Sequence, residues 1–223
     1  MYDNRLYMKY TFADFDWKGF RRENQWFLVA FGVFAGAGLL WVCGTPKGAM
    51  VLYFSAHRSV GGDAFFRFWT HAGEAMGFFF VLGYLLFRHR HRALALPVLT
   101  LGVSLLANAA KRLFRQPRPA RYFEELGLLE QLRPVSGVPL LKGLSSLPSG
   151  HTMAAFAFFS FLAFCIPQKR WAALLLFLAA ALVGVSRVYL GQHFEEDVLL
   201  GSVLGLLLSA LVFRYSHVGT KAG

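Results

Sequence analysis

Long apolar runs are the feature that most restricts how this chain can fold. Six of them are separated by charged or glycine- and proline-containing segments, and they cover residues 26–43, 70–87, 93–109, 152–166, 171–189 and 194–213. The 223 residues are 56% hydrophobic and only 16% charged. A water-soluble globule of this size could not bury so much apolar surface. The runs therefore predict an integral membrane protein, and the same composition excludes a disordered chain.

The apolar residues follow one another without alternation, which favours helices over the strands of a membrane barrel. We therefore expect an all-α fold, a bundle of six transmembrane helices, although several runs are shorter than the ~20 residues of a straight span. The bundle is predicted to occupy residues 24–214, followed by a cytoplasmic tail at 215–223. Residues 1–23 mix aromatic with basic side chains, as is typical of a segment that lies in the membrane interface.

Basic residues predict the orientation of the bundle. With a cytoplasmic N-terminus, Lys and Arg are roughly twice as dense in the segments inside as in those outside. Both termini are then cytoplasmic in the plasma (inner) membrane, and the long loop 110–150 between spans three and four is extracytoplasmic. Within that loop we expect a short amphipathic helix over 121–132. The net charge of +11 suits anionic headgroups, and no nucleic-acid-binding signature accompanies it, so nucleic acid is not an expected partner.

Three polar clusters interrupt the apolar pattern, at residues 111–119, 148–151 and 186–197. The first follows span three, the second precedes span four, and the third joins spans five and six. An even number of crossings separates each from the others, so all three emerge at one membrane face in either orientation. They can therefore form one site.

The clusters contain groups that bind phosphate. Lys111, Arg118 and Arg187 carry positive charge, and the planar guanidinium of arginine fits phosphate oxygens. Ser149 and Gly150 lie directly before a predicted helix, where free backbone N–H groups and the helix dipole attract an anion.

The same clusters contain groups that transfer protons or phosphate. Asp197 follows His193 by four residues, a spacing that places a carboxylate beside an imidazole on one helical turn and fixes its tautomer. His151 supplies a second imidazole at the same membrane face. Cations, anion-binding amides and two imidazoles together predict phosphoryl transfer.

These clusters resemble the signature of the type 2 phosphatidic acid phosphatase superfamily, which includes acid phosphatases and vanadium haloperoxidases. The family pattern KxxxxxxRP, PSGH and SRxxxxxHxxxD is matched without departure by Lys111 to Pro119, Pro148 to His151 and Ser186 to Asp197. The six-span layout resembles the integral-membrane branch of that family.

The resemblance implies a role for each residue. His193 would attack phosphorus and form a phosphohistidine, Asp197 would orient it, and His151 would protonate the leaving oxygen. The groups that would hold the phosphate oxygens are Lys111, Arg118, Ser149, Gly150 and Arg187. The family needs no metal or other cofactor, so none is expected here. Glu74, near the outer end of span two, is a further candidate for contact with the substrate because an acid within a span is often functional.

The predicted function is that of a membrane lipid phosphatase, whose partners are a lipid phosphate and the membrane lipids. Candidate substrates are phosphatidic acid, phosphatidylglycerophosphate, a polyprenyl diphosphate such as undecaprenyl diphosphate, and lipid A. Two alternatives stay open: a phosphotransferase that uses the same intermediate, and a transporter or scaffold without turnover. The sequence leaves the oligomeric state open.

Overall fold

The structure is a computed structural model that describes residues 15–166 and 170–218, and in these residues it contains helices and no strand. The α-helices are α1 (Trp17–Glu23), α2 (Gln25–Gly44), α3 (Ala49–Ala56), α4 (Val60–Trp69), α5 (Ala75–Arg88), α6 (Arg90–Ala93), α7 (Ala95–Phe114), α8 (Pro119–Glu125), α9 (Gly150–Cys165), α10 (Arg170–Tyr189) and α11 (Glu195–Val218). Short 3₁₀ turns lie at Thr70–Gly73 and Leu129–Gln131. The all-α prediction is confirmed.

Each predicted span contains a helix, but the helices differ in length. In the described part of the chain, four helical stretches are long and apolar enough to cross a membrane: α2, the stretch Arg90–Glu125 around α7, α10 and α11. A fifth is obtained if the bent pair formed by α4 and α5 counts as one span. Helix α9 has 16 residues and is shorter. The count of six therefore stays a prediction.

The second span differs most from its prediction. It was expected to run without interruption from residue 70 to residue 87, and residues 44–69 were expected to be a loop that connects the first span to the second. Instead α3 and α4 fill that connection, and α4 leads through the 3₁₀ turn Thr70–Gly73 into α5 with a bend of 54°. Glu74 adopts a non-helical conformation at the bend (φ −128°, ψ −139°). The glycine pair and the charged residues of α4 lower its hydropathy, which is why the apolar pattern missed it.

The loop over residues 110–150 also differs from its prediction in detail. The amphipathic helix expected over 121–132 consists of α8, which begins at Pro119, and of the separate 3₁₀ turn Leu129–Gln131. Gly127 lies between them with a φ of +70°, a left-handed conformation that ends the helix and that glycine adopts without steric cost.

Helix α9 forms the centre of the bundle, packed by α11, α10, α7 and α5. Nearly all of its side chains are buried. Helix α11 approaches α9 so closely that a Cβ at Gly201 would lie 2.7 Å from the Ser149 carbonyl oxygen, and one at Gly205 would lie 2.3 Å from the Met153 oxygen. This contact fixes the start of α9 against the start of α11.

The outer surface of the bundle is apolar. Large hydrophobic side chains that are mostly exposed occur on several helices, among them Val33, Leu40, Phe87, Leu105 and Leu207. Such a surface is stable against lipid chains and would aggregate in water, because it far exceeds the apolar patches of soluble proteins. The chain is an integral membrane protein.

Only part of the predicted interfacial segment 1–23 can be described, because residues 1–14 lie outside the described residues. The described part forms α1, whose Phe20 is buried against Phe164 and Phe213 while Arg21 and Arg22 remain exposed. The end of the predicted tail, residues 219–223, also lies outside the described residues.

Candidate active site

The three polar clusters meet at one end of the bundle. The Ser149 N–H, at the start of α9, donates to the Asp197 carbonyl oxygen in α11 (3.0 Å). Arg118, before α8, donates from Nη1 to the Gln192 carbonyl oxygen (3.0 Å). A Cβ at Gly150 would lie 3.7 Å from Lys111 Nζ. The structure thus brings together clusters that are separated by 28 residues or more in the sequence.

Three cations surround this meeting point, and two of them are buried. Arg118 is 9% exposed and Arg187 is 7% exposed. Arg187 donates from Nη1 to Thr70 Oγ1 (2.8 Å), while its Nε has no hydrogen-bond partner in the described part of the chain. Lys111 lies close enough to both arginines for their charges to repel. Such a cluster of desolvated cations attracts a multiply charged anion.

The start of α9 adds hydrogen-bond donors to the cations. Ser149 is the N-cap, and its Oγ accepts from the Thr152 N–H (3.4 Å) and from the Thr152 hydroxyl (2.8 Å). The Ser149 hydroxyl therefore keeps its own proton for another acceptor. The amides of Gly150 and His151 belong to the first turn, whose N–H groups have no acceptor within the helix.

His193 lies between α10 and α11, next to Asp197. Both side chains are only 2% exposed, and His193 Nδ1 lies 3.4 Å from Asp197 Oδ2. The same carboxylate oxygen accepts from Ser146 Oγ (2.5 Å) and from the Phe194 N–H (2.8 Å). The His193 ring also hydrogen-bonds to the backbone of Ser146. These contacts orient the ring, with Nδ1 on the side of the Asp197 carboxylate.

The charge state of His193 follows from its surroundings. Burial, together with the positive charges of Arg187, Arg118 and Lys111, holds the pKa of His193 well below its usual range, although the hydrogen bond to the Ser146 backbone opposes this shift. A lowered pKa means that the imidazole stays neutral at neutral pH. Its Nε2 lone pair is then available as a nucleophile.

His151 forms a second pair with a carboxylate, which the sequence did not predict. His151 Nε2 lies 2.5 Å from Glu74 Oε1, and Glu74 Oε2 lies 2.9 Å from His71 Nδ1. Glu74, the candidate for substrate contact, therefore contacts two histidines in this structure. Its side chain is 44% exposed and that of His151 is 27% exposed.

Two further residues touch the site and were missed from the sequence. Ser146 lies two residues before the PSGH motif, and this proximity is all that the sequence offers to identify it. Thr70 is 117 residues from its partner Arg187, and no sequence pattern connects the two.

The comparison that decides the family covers the region of all three clusters. The family model described as the PAP2 superfamily matches residues 92–221, which is more than half of the chain. The chain belongs to the PAP2 superfamily. The three clusters lie inside the matched region, whereas Glu74 and the bend of the second span lie before it.

Two curated relatives are similar to half of the chain or less. The lipid A 1-phosphatase of Rhizobium johnstonii is 37% identical over 113 residues, which are 49% of this chain and 43% of the relative. The phosphatidylglycerophosphatase B of Bacillus subtilis is 38% identical over 92 residues, which are 38% of this chain and 45% of the relative. The match thus spans less than half the length of either relative.

A solved structure is similar over more of the chain. The crystal structure of Aquifex aeolicus LpxE superposes with a TM-score of 0.61 at 27% identity, covering 74% of this chain and 93% of that one. This PAP2 protein therefore has the fold of the membrane phosphatases of its family.

An apolar cavity adjoins the PAP2 site. It has a volume of about 340 Å³ and lies between α5, α7 and α9, with Glu74, Phe78, Val103 and Phe158 in its lining. Glu74 therefore borders both the cavity and His151. Among the residues that the structure describes, no group of three or more His, Cys, Asp or Glu side chains is arranged to hold a metal ion.

Proposed function

We propose that this PAP2 protein is a membrane lipid phosphatase that hydrolyses a phosphomonoester or diphosphate group of a lipid through a phosphohistidine at His193. The observation that carries the proposal is the buried, neutral His193, held by Asp197 under three cations. This arrangement fits attack on a phosphorus atom whose negative oxygens are bound by the cations.

In the first step the Nε2 lone pair of His193 attacks phosphorus. A bond forms between nitrogen and phosphorus, and the bond from phosphorus to the lipid oxygen breaks. The proton on the His151 imidazolium moves to that leaving oxygen, which departs as an alcohol or, from a diphosphate, as a lipid monophosphate. Asp197 stabilises the positive charge that develops on His193. The phosphate oxygens stay bound by Lys111, Arg118, Arg187 and the donors of Ser149 and Gly150.

In the second step a water molecule attacks the phosphorus of the phosphohistidine. The nitrogen–phosphorus bond breaks, the water proton passes to His151, and inorganic phosphate leaves. His193 is again neutral and His151 is again protonated, so the cycle balances without a cofactor.

Two observations support a lipid substrate. The site lies at helix ends, where a headgroup phosphate would meet it, and the apolar cavity beside Glu74 offers room for part of a lipid chain. Two relatives are named for different lipids, lipid A and phosphatidylglycerophosphate. The proposal therefore extends to the class of lipid phosphates, which includes phosphatidic acid and polyprenyl diphosphates.

The proposed topology has six crossings, cytoplasmic termini and the site on the outer face. Helix α9 can be short because it is enclosed by other helices rather than by lipid. The density of basic residues supports the orientation. A membrane-impermeant thiol reagent added to intact cells should label Ser136→Cys in a Cys43→Ala background. Labelling only after lysis would reverse the orientation.

Phosphate release tests the function directly. Purified protein in detergent with excess EDTA is given a panel of lipid phosphates, and His193→Ala is compared with His57→Ala, an exposed histidine whose ring contacts the Tyr53 carbonyl oxygen. We expect release by the wild type and by His57→Ala, and a loss of about 10⁴-fold or more in His193→Ala. Labelled substrate should leave acid-labile phosphate on the wild type and on His57→Ala, and none on His193→Ala.

The other outcomes separate the alternatives. Equal release by His193→Ala would exclude the phosphohistidine. Transfer of phosphate to an added alcohol in excess of free phosphate would identify a phosphotransferase. A folded protein that binds lipid phosphate but turns over none of the panel would be a scaffold or transporter.

A further inference from the structure

The bend in the second span supplies the contacts on which this inference rests. Residues 70–74 touch the site twice: Thr70 Oγ1 accepts a hydrogen bond from Arg187, and Glu74 contacts His151. Such a close approach requires a glycine, because a Cβ at Gly73 would lie 2.6 Å from the His151 carbonyl oxygen. A straight helix through this region would not bring Glu74 against α9. The broken helix thus has a specific consequence for the chemistry of the site.

Both carboxylate oxygens of Glu74 already contact a histidine. Its Oε1 faces His151 Nε2 and its Oε2 faces His71 Nδ1. A carboxylate would also repel a phosphate dianion, since like charges at short range disfavour binding. These two facts argue against direct contact of Glu74 with the phosphate.

The geometry points to Glu74 as the positioning residue of His151: it holds Nε2, favours a proton on the imidazole and directs Nδ1 toward the leaving oxygen. The inference rests on the proposed phosphatase function. Because Nε2 is held by Glu74, Nδ1 is the nitrogen that can reach the substrate. When Nδ1 gives its proton to the leaving oxygen, Nε2 keeps its own and donates it to Glu74. The carboxylate thus stabilises the imidazolium before transfer and fixes the tautomer after it.

The charges around His151 explain why a carboxylate is needed there. Burial disfavours a proton on His151 most strongly, and positive charge on Arg187 or His193, which face it from α10 and from the turn before α11, adds to this effect. Glu74 faces it from the second span and favours that proton. His71, on the far side of Glu74, is 58% exposed and connects the pair to water. A buried imidazole next to arginine alone would be a poor proton donor.

The decisive variant is Glu74→Gln, which keeps the size of the side chain and removes its charge. With an alkyl lipid phosphate we expect kcat to fall about 10²-fold, which is the size of effect that general acid catalysis contributes. KM should change little. The alkaline limb of the pH–rate profile should move to lower pH, because the imidazolium loses its proton more easily. With an aryl phosphate, whose leaving oxygen needs no proton, the loss should be less than about threefold.

Three comparisons distinguish positioning from a structural role. Glu124→Gln alters an acid of similar exposure that pairs with Lys142 away from the site, and it should leave the rate and the pH profile unchanged. In a His151→Ala background, Glu74→Gln should cause no further loss, since it acts through His151. His71→Asn should cause a smaller loss than Glu74→Gln, because it frees only one oxygen.

A measurement without turnover keeps this test separate from that of the function. In ¹⁵N-histidine-labelled protein, the ring signals of His151 are assigned by their absence from His151→Ala. We expect a proton on Nε2 in the wild type that is lost, or titrates at lower pH, in Glu74→Gln. Unchanged signals, or a rise in KM with equal losses for alkyl and aryl substrates, would overturn the inference and return Glu74 to direct substrate contact. Absence of phosphatase activity in the wild type with the expected ¹⁵N result would overturn the function and not the pair.

Discussion

The site contains two histidine–carboxylate pairs that are built in opposite ways. In the first, which we call the closed pair, His193 and Asp197 are four residues apart, and both side chains are 2% exposed. In the second, which we call the open pair, His151 and Glu74 come from different segments of the chain, and their side chains are 27% and 44% exposed. The first pair is enclosed by the cations and Ser146, whereas the second is partly exposed and borders an apolar cavity through Glu74.

The difference matches the proposed tasks. A nucleophile must be held in one orientation, and it must stay neutral before it reacts, which burial favours. A general acid must reach both the leaving oxygen and a source of protons, which requires exposure. The two pairs therefore differ in exposure in the way that the two proposed tasks require.

Replacing Asp197 tests the closed pair most severely. In Asp197→Asn the amide can donate to Nδ1 and favour the wrong tautomer of His193, so we expect turnover to fall by about 10³- to 10⁴-fold. Phosphate release and phosphoenzyme formation should fall together. Size-exclusion profile and thermal stability should be checked, because Asp197 is buried. Near-normal rates would mean that Ser146 alone orients His193.

Replacing His151 tests the open pair and should depend on the substrate. His151→Ala should lower turnover of an alkyl phosphate by about 10²- to 10³-fold and leave binding intact. With an aryl phosphate the loss should be much smaller, because that leaving group departs without a proton. A loss of the same size for both substrates would contradict the assignment of His151 as the acid.

Ser146→Ala should have the smallest effect of the three. It removes the hydroxyl donor to Asp197 Oδ2 but leaves the Phe194 N–H in place. We expect a loss of about tenfold in kcat, equivalent to roughly 1.4 kcal/mol for one hydrogen bond to a charged group. Ser145→Ala is the matched control, since its hydroxyl meets only the long 3.4 Å contact from Arg118 Nε. If both variants lost activity equally, Ser146 would not be specific to the closed pair.

Much of the fold follows from local sequence. The continuous apolar runs predicted helices and a membrane environment because a lipid-facing helix needs apolar side chains all along its length. The second span was the exception, since its bend at Glu74 depends on contacts with α9 and α10 that the apolar pattern does not record. The sequence also did not show whether α9 crosses the membrane, because a short helix that is enclosed by other helices need not be as long as the bilayer is thick.

The sequence by itself determined the closed pair, its motif and the convergence of three clusters at one membrane face. The spacing of four predicted that the two side chains meet, although His193 lies in the turn before α11 and only Asp197 is on the helix. Only the tertiary structure decided the open pair, the contact of Thr70 with Arg187 and the position of Ser146 beneath Asp197. Such contacts arise where separate elements pack, and packing depends on the shapes of both partners rather than on the pattern of either one.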